Sequence, residues 1–317
     1  MLRGCLSILL LIALIRCSDK KENHAGNDIK NADDFIALFK TLPSAQRFSD
    51  TGLAATGDTL TISREIFTRF IPDSVLEHVF EKPSEEMTIH RVGKIENKKG
   101  VYLLIKFTQQ KKSKLAVFLF DDKNKYLASL KLLNNYSNDK YMHSVSVTDE
   151  PTFIISREKK GDNNNMLYTR NGYAFDFGLS NFITVMNDTN EDLKRLSEII
   201  NPIDTLPKKN KYSADYTRDK KNFISVRDGK NESAYIFFIH FEKNKGDCTG
   251  ELKGSMTMTG TSKSMYKENG DPCSINFTFT KSSVTIKEDN CGNHRGLNCL
   301  FDDTYKKKKP AMKSEKK

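Results

Sequence analysis

The chain reads as α+β and mostly antiparallel β, with short N-terminal helices, then a β-meander domain, then a small disulfide-stapled β-barrel or sandwich. Three observations predict this. Helical apolar spacing is confined to the stretch before Phe80, strand-length apolar runs dominate from Met87 onward, and four of the six cysteines fall between Cys248 and Cys299.

The helices come first in the ordered part. Asn31 stands where an N-cap belongs, and Phe35, Leu38, Phe39 and Leu42 recur at i, i+3, i+4 and i+7 before Pro43. Residues Ser63 to Ile71 repeat the pattern with Ile66, Phe67 and Phe70. Pro72 then opens a further helix carrying Val75, Leu76, Val79 and Phe80.

Strands follow at Met87 to Ile95, Val101 to Thr108, Leu115 to Phe120 and Tyr126 to Leu132, divided by Lys, Asn and Gly-containing turns. The meander continues through Ser144 to Val147, Phe153 to Arg157 and Met166 to Arg170. The dipeptide Asn171-Gly172 predicts a hairpin turn into Tyr173 to Phe177, with Tyr168 and Tyr173 flanking it, and Phe182 to Met186 closes the series. Residues Glu191 to Ile200 predict a closing helix, with Pro202 and Pro207 marking a boundary.

Seven strands are expected beyond it: Phe223 to Val226, Tyr235 to Phe241, Thr249 to Met258, Ser264 to Lys267, Ser274 to Thr280, Val284 to Lys287 and Asn298 to Phe301. Turns are signalled by Asp228-Gly229 and Asn269-Gly270. Closure into a barrel or sandwich would remove exposed strand edges. If Lys281-Ser282 is a hairpin turn, Cys273 lies opposite Cys291 and leaves Cys248 for Cys299. Cys291 with Cys299 is a rival pairing among the three connectivities that four cysteines allow.

The resulting division is residues 1–16 as a signal, 17–30 as a tether, 31–200 as helices plus meander, 201–305 as the disulfide-containing all-β domain and 306–317 as a basic tail. Of the net charge of +10, the tail supplies +6 and the leader +2, which leaves +2 for the body. A near-neutral body offers no basic groove, so nucleic acid is not an expected partner.

The leader has Arg3 as a basic n-region and an eleven-residue apolar run from Cys5 to Ile15. A transmembrane helix needs about 20 apolar residues. Leu14-Ile15-Arg16-Cys17 resembles a lipobox, although Arg16 stands where Gly, Ala or Ser is usual. The resemblance implies a diacylglycerol on Cys17, with palmitate among the chains, and the alternative is an ordinary signal peptide. Ser18-Asp19-Lys20-Lys21-Glu22 is similar to the charged segment that sends lipoproteins of the Bacteroidota to the cell surface. Cys248-Thr249-Gly250-Glu251-Leu252-Lys253-Gly254 and Cys291-Gly292-Asn293-His294-Arg295-Gly296 extend a resemblance to uncharacterised lipoproteins of that phylum. It implies an outer-membrane lipoprotein of the cell envelope, surface-exposed or alternatively periplasm-facing, and attaches no activity.

No spacing that forces catalysis occurs. His-Glu-x-x-His, Gly-x-Ser-x-Gly and a Gly-rich phosphate loop are missing, so the expectation is a non-enzyme without cofactor. The six histidines are scattered. Only His294 lies among cysteines, and exported thiols normally oxidise, so no metal is expected there. His294 and Arg295, in a loop fixed by disulfides, are candidate partner contacts. Asp121-Asp122-Lys123-Asn124 is a weak candidate for calcium, and the paired carboxylates along the chain read as solvated turns. The expected function is a non-catalytic binding module for a glycan or a protein. The alternative is a lysozyme-inhibitor-like inhibitor of a cell-wall lytic enzyme, and a hydrolase is third.

Overall fold

The computed structural model describes residues 29–43, 45–55, 60–79, 86–161, 164–191, 199–296 and 299–309. Residues 1–28, which hold the leader, Cys17 and all but the last two tether positions, and positions 192–198 of the expected closing helix lie outside these; Ile29, at the end of the expected tether, is buried in the helix-side core. No helix among the described residues is long and apolar enough to cross a membrane.

The first unit has three layers. Its helices are α1 (Ala32–Ala37), α2 (Asp50–Ala55), α3 (Arg64–Phe70) and α4 (Ser74–Val79). Asn31 caps α1 as expected: its side chain accepts from the Asp34 N–H, and the Asp34 carboxylate accepts from the Asn31 N–H, so two orphan donors of the first turn are satisfied. Ser63 caps α3 in the same way through the Ile66 N–H.

One five-stranded sheet has the order β2 (Thr61–Ile62), β3 (Thr88–Asn97), β4 (Gly100–Gln109), β5 (Lys112–Asp121) and β6 (Tyr126–Asn134). Its central strands are buried on both faces. Leu103, Ile105, Phe107 and Phe118 meet Phe35, Phe67 and Leu76 of the helices. Tyr102, Leu104, Val117 and Leu119 point the other way into a second core. This double burial is why these strands read as unbroken apolar runs rather than as alternation.

The second sheet supplies the other half of that core, with the order β1 (Gln46–Ser49), β7 (Met142–Val147), β8 (Thr152–Lys160), β9 (Met166–Asp176) and β10 (Asn181–Thr189). The expected single meander therefore breaks between β6 and β7 and folds over as a sandwich. The Asn171-Gly172 turn is not there: β9 runs straight through it, and Tyr168 and Tyr173 do not flank a hairpin. Gly172 serves a close approach instead. It faces Met186 beside a register shift between Thr184 and Met186, and a Cβ at this position would lie 2.9 Å from the Met186 Cβ.

The second unit is a closed barrel of eight antiparallel strands: β11 (Ala214–Thr217), β12 (Phe223–Asp228), β13 (Ala234–Lys243), β14 (Cys248–Met258), β15 (Lys263–Lys267), β16 (Ser274–Phe279), β17 (Ser283–Asp289) and β18 (Asp303–Lys307). The ring closes where β18 pairs with β11, Thr217 opposite Lys306. Two expectations are corrected. The eighth strand, β11, was hidden by its shortness and its charge. The last strand lies past Phe301, at the start of what reads as a basic tail, because Phe301 drops beneath the barrel to meet the Phe241 ring at 5.1 Å. Tyr216, Phe237, Phe241, Phe277, Phe279 and Tyr305 fill the interior, so the barrel is a core and not a channel.

The linker clamps onto the outside of β11 and β12. Arg227 is fully buried there, with its guanidinium 2.8 Å from Asp215 and 3.1 Å from Asp204. Burial pushes the Asp215 carboxyl up, but the Lys208 hydrogen bond, the Arg227 charge and the Ser225 hydroxyl together outweigh it and bring it down to about 2. Leu179 and Ile183 of the sandwich cluster with Ile203, Ile236 and Phe238, and Lys253 reaches Asp176 at 2.5 Å, so the two units share a small apolar junction.

Candidate functional site

All four C-terminal cysteines sit at one end of the barrel. Cys248 bridges Cys299 and Cys273 bridges Cys291. Up-and-down connectivity explains the grouping: Cys248 begins β14, Cys273 precedes β16, Cys291 follows β17 and Cys299 precedes β18, and all four positions belong to the same rim.

The expected contact loop, His294 and Arg295, is built into this rim. Arg295 is not presented to a partner. Its Nε donates to both Glu288 oxygens at 2.7 and 3.0 Å and its Nη2 to one of them, with the two side chains only 9% and 4% exposed. The same Glu288 accepts the Phe301 N–H, and the Glu288 N–H is taken by Asp302. Arg295 also crosses β14 at Gly250, where a Cβ would lie 2.5 Å from the Phe241 ring and 3.0 Å from the Arg295 Cβ. The motif residues that looked like a recognition loop thus lock one end of the barrel. His294 is on the rim, with Nε2 2.7 Å from Asp271 Oδ2.

In the calcium candidate, Asp121 Oδ1 accepts the N–H groups of Lys123 and Lys125, so that oxygen caps the turn.

A different group of polar side chains gathers on the second sheet, where the sandwich core ends. His143 on β7 stands opposite Arg157 on β8, which stands opposite Thr169 on β9, which stands opposite Thr189 on β10. These positions share the face of Val145, Val147 and Phe153 but lie beyond the core. His143, Ile155, Ser156, Arg157, Thr169 and Asn171 line a half-open depression of about 260 Å³.

One carboxylate organises its edge. Glu191 accepts from the Tyr141 hydroxyl at 2.7 Å and from Thr169 at 3.3 Å, and it pairs with Arg157 at 3.4 Å and Lys159 at 3.5 Å. The Tyr141 hydrogen bond, with the charges of Arg157 and Lys159, holds its carboxyl below the usual range. Both cations also lie over the Tyr141 ring, at 4.9 and 4.4 Å. On the other side His143 meets Asp139 at 2.8 Å, and that hydrogen bond lowers the Asp139 carboxyl. The depression therefore presents the Arg157 guanidinium and the His143 imidazole, each held by a carboxylate, and the Thr169 hydroxyl, which donates to Glu191, beside Asn171 and Ile155.

Sequence reasoning missed this group. The spacing Arg157-x-Lys159 puts both cations on one face of β8, and that period-two pattern was the available signal, whereas Asp139 and Tyr141 precede β7. Searches against known protein families, curated proteins and solved structures find no match for the chain.

Proposed function

We propose that this protein is a non-catalytic glycan-binding module of the cell envelope, tethered by lipid on Cys17 to the outer membrane and facing the cell surface. The tether and the location rest on the leader, on the lipobox-like Leu14 to Cys17 and on the charged run that follows. The binding reading rests on one observation, the polar depression around Arg157, Asn171 and Thr169.

Its chemistry favours a sugar held by hydrogen bonds. Arg157 and Asn171 are donors suited to hydroxyl and carboxylate oxygens, and Ile155 offers an apolar patch for a ring face. Stacking on Tyr141 is not the mode, since Arg157 and Lys159 already cover that ring. A sugar bearing a carboxylate gains most, because Arg157 can bind it bidentately.

Isothermal titration with neutral and uronic-acid oligosaccharides tests the reading. Binding should favour the acidic members, and Arg157→Ala should weaken it about tenfold or more, the loss expected for one charge-assisted hydrogen bond of about 1.5–3 kcal/mol. No binding across the set, or an unchanged Kd in Arg157→Ala, defeats the proposal. Stoichiometric suppression of lysozyme by the same protein would support the inhibitor reading in its place.

A further inference from the structure

The Cys273–Cys291 bridge has neighbours that a purely structural disulfide does not need. The Asp271 carboxylate, the Cys273 Sγ and the His294 imidazole lie within 4.8 Å of one another, and Cys291 Sγ is bonded to Cys273 Sγ. Three donors, one of each kind, thus lie together on one rim of the barrel, with a second sulfur bonded to the first. In the oxidised chain they cannot bind a metal as a set, because both sulfurs are spent on each other.

We propose that reduction of this bridge converts the rim into a zinc site with Cys273, Cys291, His294 and Asp271 as ligands. A dithiol reductant supplies two electrons and two protons, the S–S bond breaks, two thiols form, and the reductant leaves as its own disulfide. Zinc then displaces the two thiol protons. Two thiolates, one neutral imidazole and one carboxylate complete a tetrahedral shell with a net charge of −1, within the ligand chemistry zinc prefers.

The surroundings suit such a site. Both sulfurs are fully buried while His294 and Asp271 line the rim, so an ion would be held at the edge of the core with an entry path from solvent. Asp271 is already oriented: Oδ1 accepts the Cys273 N–H at 2.9 Å and Oδ2 lies 3.4 Å from the Tyr266 hydroxyl. Carboxylate ligands are typically braced in this way. The present 2.7 Å separation of His294 Nε2 and Asp271 Oδ2 would open to about 3.3 Å around a zinc ion bound at roughly 2.0–2.1 Å by each. Cys248 and Cys299 form the other bridge and take no part.

The test uses the full chain, reduced with a phosphine in the absence of oxygen and titrated with Co²⁺ and then Zn²⁺, with far-UV circular dichroism followed in parallel. The expected result is one Co²⁺ per chain, with the charge-transfer absorption of a two-thiolate tetrahedral site. Zn²⁺ should displace it, and the unreduced protein should give no such signal. Cys248→Ser with Cys299→Ser should keep the signal and Cys273→Ser with Cys291→Ser should lose it, while His294→Ala should weaken binding about tenfold or more. The proposal is overturned if the reduced chain takes up no metal, if it unfolds and zinc does not restore its dichroism, or if the signal survives loss of Cys273 and Cys291 or is indifferent to both His294→Ala and Asp271→Asn.

Discussion

Asp215→Asn should destabilise the barrel at neutral pH and flatten the loss of stability that the protein shows between pH 4 and 2. Asp215 faces the buried Arg227 at 2.8 Å, and its carboxyl lies at about 2 against an ordinary 3.8. Each tenfold in proton affinity corresponds to about 1.36 kcal/mol, so the shift is worth roughly 2 kcal/mol at neutral pH. Because Asp215 is 31% exposed, screening reduces this to between about 1 and 2 kcal/mol. The sign follows from a lowered folded-state value: the stabilisation is complete above pH 3.8 and is lost as pH falls through the interval down to about 2. The amide keeps the shape and one acceptor oxygen, so the variant isolates the charge, and Asp204 still faces Arg227 at 3.1 Å. Urea unfolding followed by tyrosine fluorescence at pH 7 and pH 2.5 measures it. A loss below about 0.5 kcal/mol at pH 7, or parallel acid profiles for the two proteins, would refute the reasoning.

Three further outcomes are expected. Cys17→Ala should abolish metabolic labelling with palmitate and release the protein from membranes, as fractionation of cells expressing it would read. Gly250→Ala should cost about 1–3 kcal/mol by overpacking, since the new methyl meets the Phe241 ring at 2.5 Å, and a lowered denaturation midpoint with unchanged m-value would show it. Reduction without divalent metal should lower the barrel's melting transition before that of the sandwich. The bridges close loops of 51 and 18 residues, worth about 4 and about 3 kcal/mol in the chain-entropy model, and calorimetry with and without reductant separates the two transitions.

Most of the fold was legible because its signals are local. Asn31 and Ser63 announce their helices, and in β15 and β16 the inward Tyr266, Ile275, Phe277 and Phe279 alternate with outward Met, Lys, Asn and Thr. The failures occurred where a distant partner decides the outcome. Asn171-Gly172 has hairpin chemistry, but Met186 across the ladder needs the space a glycine leaves. Strand β11 has only four residues with Asp215 among them, and its reason for existing is Arg227 on the neighbouring strand. The polar depression was the least legible part: His143, Arg157 and Thr169 become neighbours only through the register of three strands, and no local rule supplies that register. The Arg295 loop misled in the opposite sense, since an arginine in a loop bounded by Gly292 and Gly296 resembles an exposed contact until Glu288 is placed beneath it.

The pairing of Thr217 with Lys306 has a consequence for how the molecule is made. A chain delivered from its N-terminus can assemble the sandwich while the barrel is still an open ribbon, because the seam between β11 and β18 joins the first and last strands of that unit. Until Asp303–Lys307 arrives, β11 and β17 each show an unsatisfied hydrogen-bonding edge, the kind of surface on which neighbouring chains aggregate. The interval is prolonged because contacts so distant along the chain form slowly. A premature stop just before Asp303 would therefore yield a sticky, permanently unzipped sheet rather than a slightly shortened barrel.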